Sequence, residues 1–147
     1  MREFRRIWTS YVATDSFLER SERASRRPNS RQRWARVRLF NDQAYYMMLF
    51  AQFEQFVESE CIRLINRKKH ASLWHHRRLW DSTEPERMSF MRKVALLTDK
   101  AGPNFQKIDQ YYDRRCDVAH GTLLPAGAII VPVAVQDFRQ FVRDLRQ

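Results

Sequence analysis

The residues best suited to chemistry lie together at positions 111–121, in the run YYDRRCDVAHG. An arginine can hold a phosphate and stabilise the negative charge that develops on it. A histidine can take or give a proton near neutral pH. Asp117 lies three residues before His120, close enough on a helix to orient the imidazole ring. The run therefore predicts phosphodiester cleavage, with Arg115 and His120 as the catalytic pair and Asp117 as a helper.

The spacing of this pair sets a geometric condition. On an ideal helix, Arg115 and His120 point about 140° apart, so they converge only if the helix ends or distorts at His120. Gly121 permits this, because glycine is a natural residue just past a helix end. The competing interpretation is an arginine on a solvated face and a histidine that caps a helix.

Other catalytic and metal chemistry finds little support in the sequence. No two histidines lie one helical turn apart, and CxxC and HExxH motifs are absent. A zinc site would need ligands scattered across the fold. Glycine-rich phosphate loops and GxSxG turns are also absent. We therefore expect neither a metal nor a cofactor.

The charge pattern indicates a polyanionic partner. The chain has 27 Lys+Arg against 17 Asp+Glu, and residues 20–38 contain eight arginines and one acid, Glu22. Because arginine binds phosphate through a planar fork, the expected partner is a polyanion such as RNA. Solvated charges in an arginine-rich composition are the alternative. The predicted RNA-contacting residues are Arg31, Arg33, Arg36, Arg38 and Arg114, and the first four cannot all face the core.

Residues 68–82 form a second basic segment that is rich in aromatic side chains. Trp74, His75, His76 and Trp80 could stack on nucleic-acid bases. The alternative is a half-exposed connection with no ligand.

Hydrophobic periodicity predicts an all-α, up-and-down bundle of about five helices, within a single domain covering residues 1–147. Residues 122–134 include several β-branched side chains, so a short strand or hairpin is the alternative structure for this segment. Residues 31–67 carry two apolar stripes, more than one small bundle easily covers, so we expect a symmetric homodimer. The predicted helices cover 2–24, 31–67, Pro85 to about Lys100, 103–120 and Val135–Arg146.

The remaining composition points to the cytoplasm. Cys61 and Cys116 cannot form a disulfide scaffold, and no apolar run reaches the roughly 18 residues of a membrane span. The basic N-terminus has too short an apolar stretch for a signal peptide. We expect a cytoplasmic protein with reduced thiols and no membrane contact.

The run from Arg115 to Gly121 resembles the signature of the HEPN superfamily, an arginine followed after four to six residues by histidine. Cys116 stands where that family usually has Asn, Asp or His. The segment around Glu54, an acid among aromatics, is similar to the family's long early helix.

This resemblance implies a helical homodimer that is often a metal-independent endoribonuclease, commonly in toxin–antitoxin or antiphage defence and therefore with a possible antitoxin partner. Arg115 would stabilise the phosphate, and His120 would act as general acid and base. One alternative is a non-catalytic HEPN-like module that binds RNA, a nucleotide or a partner protein. Another is an all-α DNA-binding or structural protein in which Arg115 and His120 are incidental.

Overall fold

Helices account for 79% of the chain in the computed structural model, which describes residues 2–146 apart from the side chain of His76. No strand occurs in these residues, so the predicted all-α bundle is confirmed. No described helix has the length and apolar character needed to cross a membrane. The elements are α1 (Arg2–Ala24), α2 (Pro28–Lys69), α3 (Trp74–Asp81), a 3₁₀ helix (Pro85–Arg87), α4 (Phe90–Leu97), α5 (Pro103–Ala119) and α6 (Val131–Asp144).

The chain forms two compact units. The first contains the residues up to Gln52 together with Asp113–Asp137, and the second contains Phe53–Tyr112 together with the residues from Phe138 onward. The expected single domain stays a prediction, and each unit is described by itself.

The first unit is built on the antiparallel pair formed by α1 and the first part of α2. Phe4, Tyr11 and Leu18 recur every seven residues along α1, and all three are buried. A seven-residue spacing keeps side chains on one helix face, so one continuous stripe packs inward. Pro28 begins α2, where its missing N–H removes no helical hydrogen bond. The buried α2 residues of this unit are Gln43, Tyr46, Leu49 and Phe50.

Polar side chains fix the register of α1 against α2. The Tyr11 hydroxyl donates to Asp42 Oδ1 at 3.0 Å, and the hydroxyls of Thr14 and Tyr45 lie 3.2 Å apart. Burial raises the pKa of Asp42, because a carboxylate with fewer water contacts is costlier to ionise. The interface between these helices therefore depends on specific hydrogen bonds as well as on apolar packing.

In the part of α2 that belongs to the first unit, only one of the two apolar stripes enters the core. In the first unit, the stripe with Tyr46, Leu49 and Phe50 is buried, whereas Phe40 and Met48 of the other stripe are 55% and 43% exposed. The second stripe leaves an apolar face at the surface of one chain.

Aromatic rings form the core of the second unit. Phe53 of α2 stacks on Phe138 of α6, with ring centres 5.1 Å apart, and Tyr111 of α5 lies 5.0 Å from Phe138. Beside this core, the buried ammonium of Lys93 donates to the Glu58 carboxylate. The pairing matters because an unpaired buried charge is strongly destabilising.

The hairpin considered for residues 122–134 is wrong. Residues 122–130 form an irregular connection with a turn in which Ala128 N–H donates to Pro125 O at 3.1 Å. Helix α6 then begins at Val131, four residues before the predicted start. Pro132 lies in the first turn of α6, where a residue without an N–H is tolerated.

Two other segments also differ from the prediction. Helix α3 occupies part of the stretch expected to be a connection, which raises the number of α-helices from five to six. The helix expected from Pro85 to Lys100 is divided into the 3₁₀ helix and α4. Ser89, the N-cap residue of α4, has extended backbone angles, and these interrupt the helical path.

Candidate functional site

The C-terminus of α5 holds His120 in a defined backbone position. His120 N–H donates to Cys116 O at 2.9 Å, so the helical spacing continues to His120 itself. Gly121 then adopts φ +83°, and its N–H donates to Val118 O at 3.0 Å. Thr122 N–H donates to Asp117 O at 2.9 Å. These two bonds define a Schellman motif, which confirms that Gly121 ends the helix.

Arg115 and His120 do not come together within one chain. The helix stays regular through His120 and changes direction only at Gly121. The two side chains therefore leave the α5 axis about 140° apart. Arg115 is half-buried and His120 is exposed. Among the described residues, no hydrogen bond joins the Arg115 guanidinium to the His120 ring.

Asp117 and Arg114 lie on the last two turns of α5. Asp117 is exposed and Arg114 is half-buried. Within residues 2–146 the Asp117 carboxylate makes no hydrogen bond to His120, although the two residues are three positions apart. The helper role of Asp117 and the RNA contact of Arg114 stay predictions.

The arginines at the start of α2 divide into two groups. Arg31, Arg33 and Arg36 are exposed, which confirms that several of the four face solvent. Arg38 is half-buried and binds α1 instead. Its guanidinium donates to both carboxylate oxygens of Asp15, at 2.9 and 3.2 Å, and to Glu22 at 3.2 Å.

The role of Arg38 is therefore to hold the two helices together. The hydrogen bond to Asp15 raises the pKa of Arg38, opposing the effect of burial. The sequence contains a signal for this contact. Asp15 and Glu22 are seven residues apart and so share one face of α1.

Five exposed arginines surround the turn between α1 and α2. None of them forms an ion pair with a described residue, because Glu19 is paired with Arg23 and Glu22 with Arg38. Beside them, Phe17 and Trp34 pack edge to face with ring centres 6.4 Å apart. The result is an uncompensated positive surface next to aromatic rings. We call it the basic patch: Arg26, Arg27, Arg31, Arg33 and Arg36.

The described residues contain no group of three or more His, Cys, Asp or Glu side chains arranged to hold a metal ion. The side chain of His76, one of the residues considered for base stacking, lies outside this description.

Comparisons of the chain with protein-family models, with curated proteins and with solved structures find no match. The resemblance to the HEPN superfamily therefore depends on the sequence motif, and the function it implies is a proposal.

Proposed function

We propose that this protein is a metal-independent endoribonuclease of the HEPN type that acts on single-stranded or looped RNA. The observation that carries the proposal is the placement of His120, exposed directly after the last residue of α5, five residues after Arg115 and fixed by the turn at Gly121. An exposed imidazole at a rigid position can meet a substrate without a change of backbone conformation.

The chemistry follows from the substrate. The RNA 2′-OH attacks the adjacent phosphorus, and His120 accepts the hydroxyl proton. Arg115 stabilises the charge on the phosphorane oxygens. The 5′-oxygen then leaves with a proton donated by an imidazolium, and the products carry a 2′,3′-cyclic phosphate and a 5′-OH. RNA supplies its own nucleophile, so none of these steps requires a metal.

The catalytic pair of this proposal comes from two copies of the chain. The divergence of Arg115 and His120 on one helix supports a pair made by His120 of one copy and Arg115 of the other. The apolar α2 face with exposed Phe40 and Met48 supports the homodimer, because a second copy would remove that face from water. The proposed setting is toxin–antitoxin or antiphage defence, with an antitoxin as a further partner.

Cleavage of labelled RNA in EDTA tests the enzyme. His120→Ala and Arg115→Ala should each lower the rate about 10²–10⁴-fold while the helical circular-dichroism spectrum stays unchanged. His70→Ala is the matched control for the histidine. Arg114→Ala, which removes a predicted RNA contact and keeps the Arg115 guanidinium, should cost much less than Arg115→Ala. DNA should not be cut. Wild-type protein that binds RNA without cutting it would refute the enzyme and leave an RNA-binding module.

Mixing inactive variants tests whether the pair spans two copies. The protein should first sediment as a dimer at tens of micromolar. An equal mixture of the His120→Ala and Arg115→Ala variants makes half of the dimers mixed, and each mixed dimer keeps one intact pair. Activity should therefore return to about a quarter of the wild-type value. A pair confined to one chain would give no recovery.

The second candidate function is a non-catalytic RNA-binding module, which the unpaired arginines of the basic patch favour. In that case RNA affinity falls with salt in the wild type and in His120→Ala alike, and neither protein cuts RNA.

A further inference from the structure

A cavity of about 580 Å³ lies within the second unit, lined by residues of α3, α4 and the segment that joins them. Its volume is within the roughly 300–1,000 Å³ range of small-molecule sites. Its lining includes the half-buried Trp80 together with the apolar residues Leu79, Met88 and Leu96. The cavity therefore offers a flat aromatic surface in a lining that is about half apolar and half polar.

The cavity also presents one unpaired cation. Arg92 is exposed and makes no hydrogen bond or ion pair with a described residue. Arg87 differs, because its Nε lies 2.6 Å from a Glu84 carboxylate oxygen. The hydroxyl of Ser82 and the carboxylate of Glu84 also line the cavity and can bond polar edges of a ligand. A fitting ligand combines a planar apolar ring, a polar edge and an anionic group.

We propose that this cavity binds one nucleotide, with the base against Trp80 and the phosphate on Arg92. Bases stack on aromatic side chains whatever their sequence, and arginine is the usual phosphate partner. The nucleotide is either free or part of an RNA strand, and binding of an RNA strand rests on the proposed function.

Calorimetric titration with adenosine 5′-monophosphate and with a short RNA tests the proposal. Both Trp80→Leu and Arg92→Gln should weaken binding of the probe about tenfold. Arg78→Gln should leave affinity unchanged, because this exposed arginine lies outside the cavity, over the Trp74 ring at 5.1 Å. Circular dichroism checks the fold of Trp80→Leu, and Arg92→Gln removes only an exposed side chain.

If the monophosphate binds and both Trp80→Leu and Arg92→Gln weaken its binding, the cavity is a site for a free nucleotide. Binding of the RNA alone, with the same effects, assigns a nucleotide within a strand. Absence of binding by either probe at millimolar concentration overturns the proposal, and so does equal affinity in the wild type and both variants.

Cleavage separates this proposal from the enzyme. Loss of nucleotide binding in Arg92→Gln, with RNA cleavage unchanged, supports the cavity as a free-nucleotide site and leaves the ribonuclease intact. Nucleotide binding by a wild-type protein that never cuts RNA supports the cavity and refutes the ribonuclease.

Discussion

Replacing Gly121 by alanine tests whether the turn after α5 positions His120. Gly121 has φ +83°, and Gly127 in the following connection has the same angle. A Cβ atom built at either position meets no heavy atom within 4 Å. The cost of each substitution is therefore the backbone conformation alone, about 1 kcal/mol for a residue other than glycine. For a chain of this size, that corresponds to a fall in Tm of roughly 2–4 °C.

The two glycines form a matched pair, because they share the same positive φ but differ in their distance along the chain from His120. Gly121→Ala and Gly127→Ala should lose similar stability in urea unfolding. Only Gly121→Ala strains the two hydrogen bonds that close the end of α5. It alone should therefore lower RNA cleavage, measured as 2′,3′-cyclic phosphate released well below Tm. Gly121→Asn should lose less stability and activity, since asparagine tolerates positive φ.

Two results would refute this reasoning. Equal cleavage by both alanine variants would mean that the turn does not position His120 for catalysis. Unchanged stability in Gly121→Ala would mean that the left-handed turn contributes nothing to the native state.

Changing the basic patch to glutamine should flatten the salt dependence of RNA binding, since each phosphate contact on a single strand contributes about 0.7 to the log–log slope. The same change at Arg6, Arg23 and Arg63, which already have acidic partners, should leave the slope unaltered. Asp42→Asn tests the raised pKa of Asp42. The folded state holds the Asp42 proton to higher pH than the unfolded state, so the folded protein loses stability as the pH rises through the raised pKa. The variant should therefore gain stability over the wild type at pH 7, and urea unfolding should show that gain disappearing below about pH 4, where both states hold the proton. A constant difference across that range would contradict the assignment to Asp42.

Helix ends are predicted well where one residue's own chemistry decides them. Gly121 ends α5 through its own backbone freedom, as predicted, whereas α2 begins at Pro28, three residues before the predicted start. The start of α6 was missed for a related reason. Pro132 argues equally against a central strand and for a first helical turn, and only the packing of Val131 into the core decides between them.

Tertiary contacts determine which charged side chains are paired, and the sequence alone does not show this. Arg38 belongs to the same basic run as Arg36, yet Asp15 and Glu22 of α1 bind Arg38 and leave Arg36 exposed. The run shows a surplus of charge, whereas the partner helix determines which charges remain uncompensated. In the same way, the cavity residue Arg92 carries no local signal, because its neighbours come from α3 and the segment after it.

In the candidate site, Arg115 and His120 match the sequence motif, but on a single helix their side chains point in different directions. A regular helix through His120 keeps the imidazole and the Arg115 guanidinium on different sides of α5. The turn that fixes His120 also prevents the distortion that would join the pair within one chain. If this motif is catalytic, the reaction requires an arrangement of two α5 helices. Dimer formation and cleavage should therefore be lost together, and a monomeric variant that still cuts RNA would place the chemistry elsewhere.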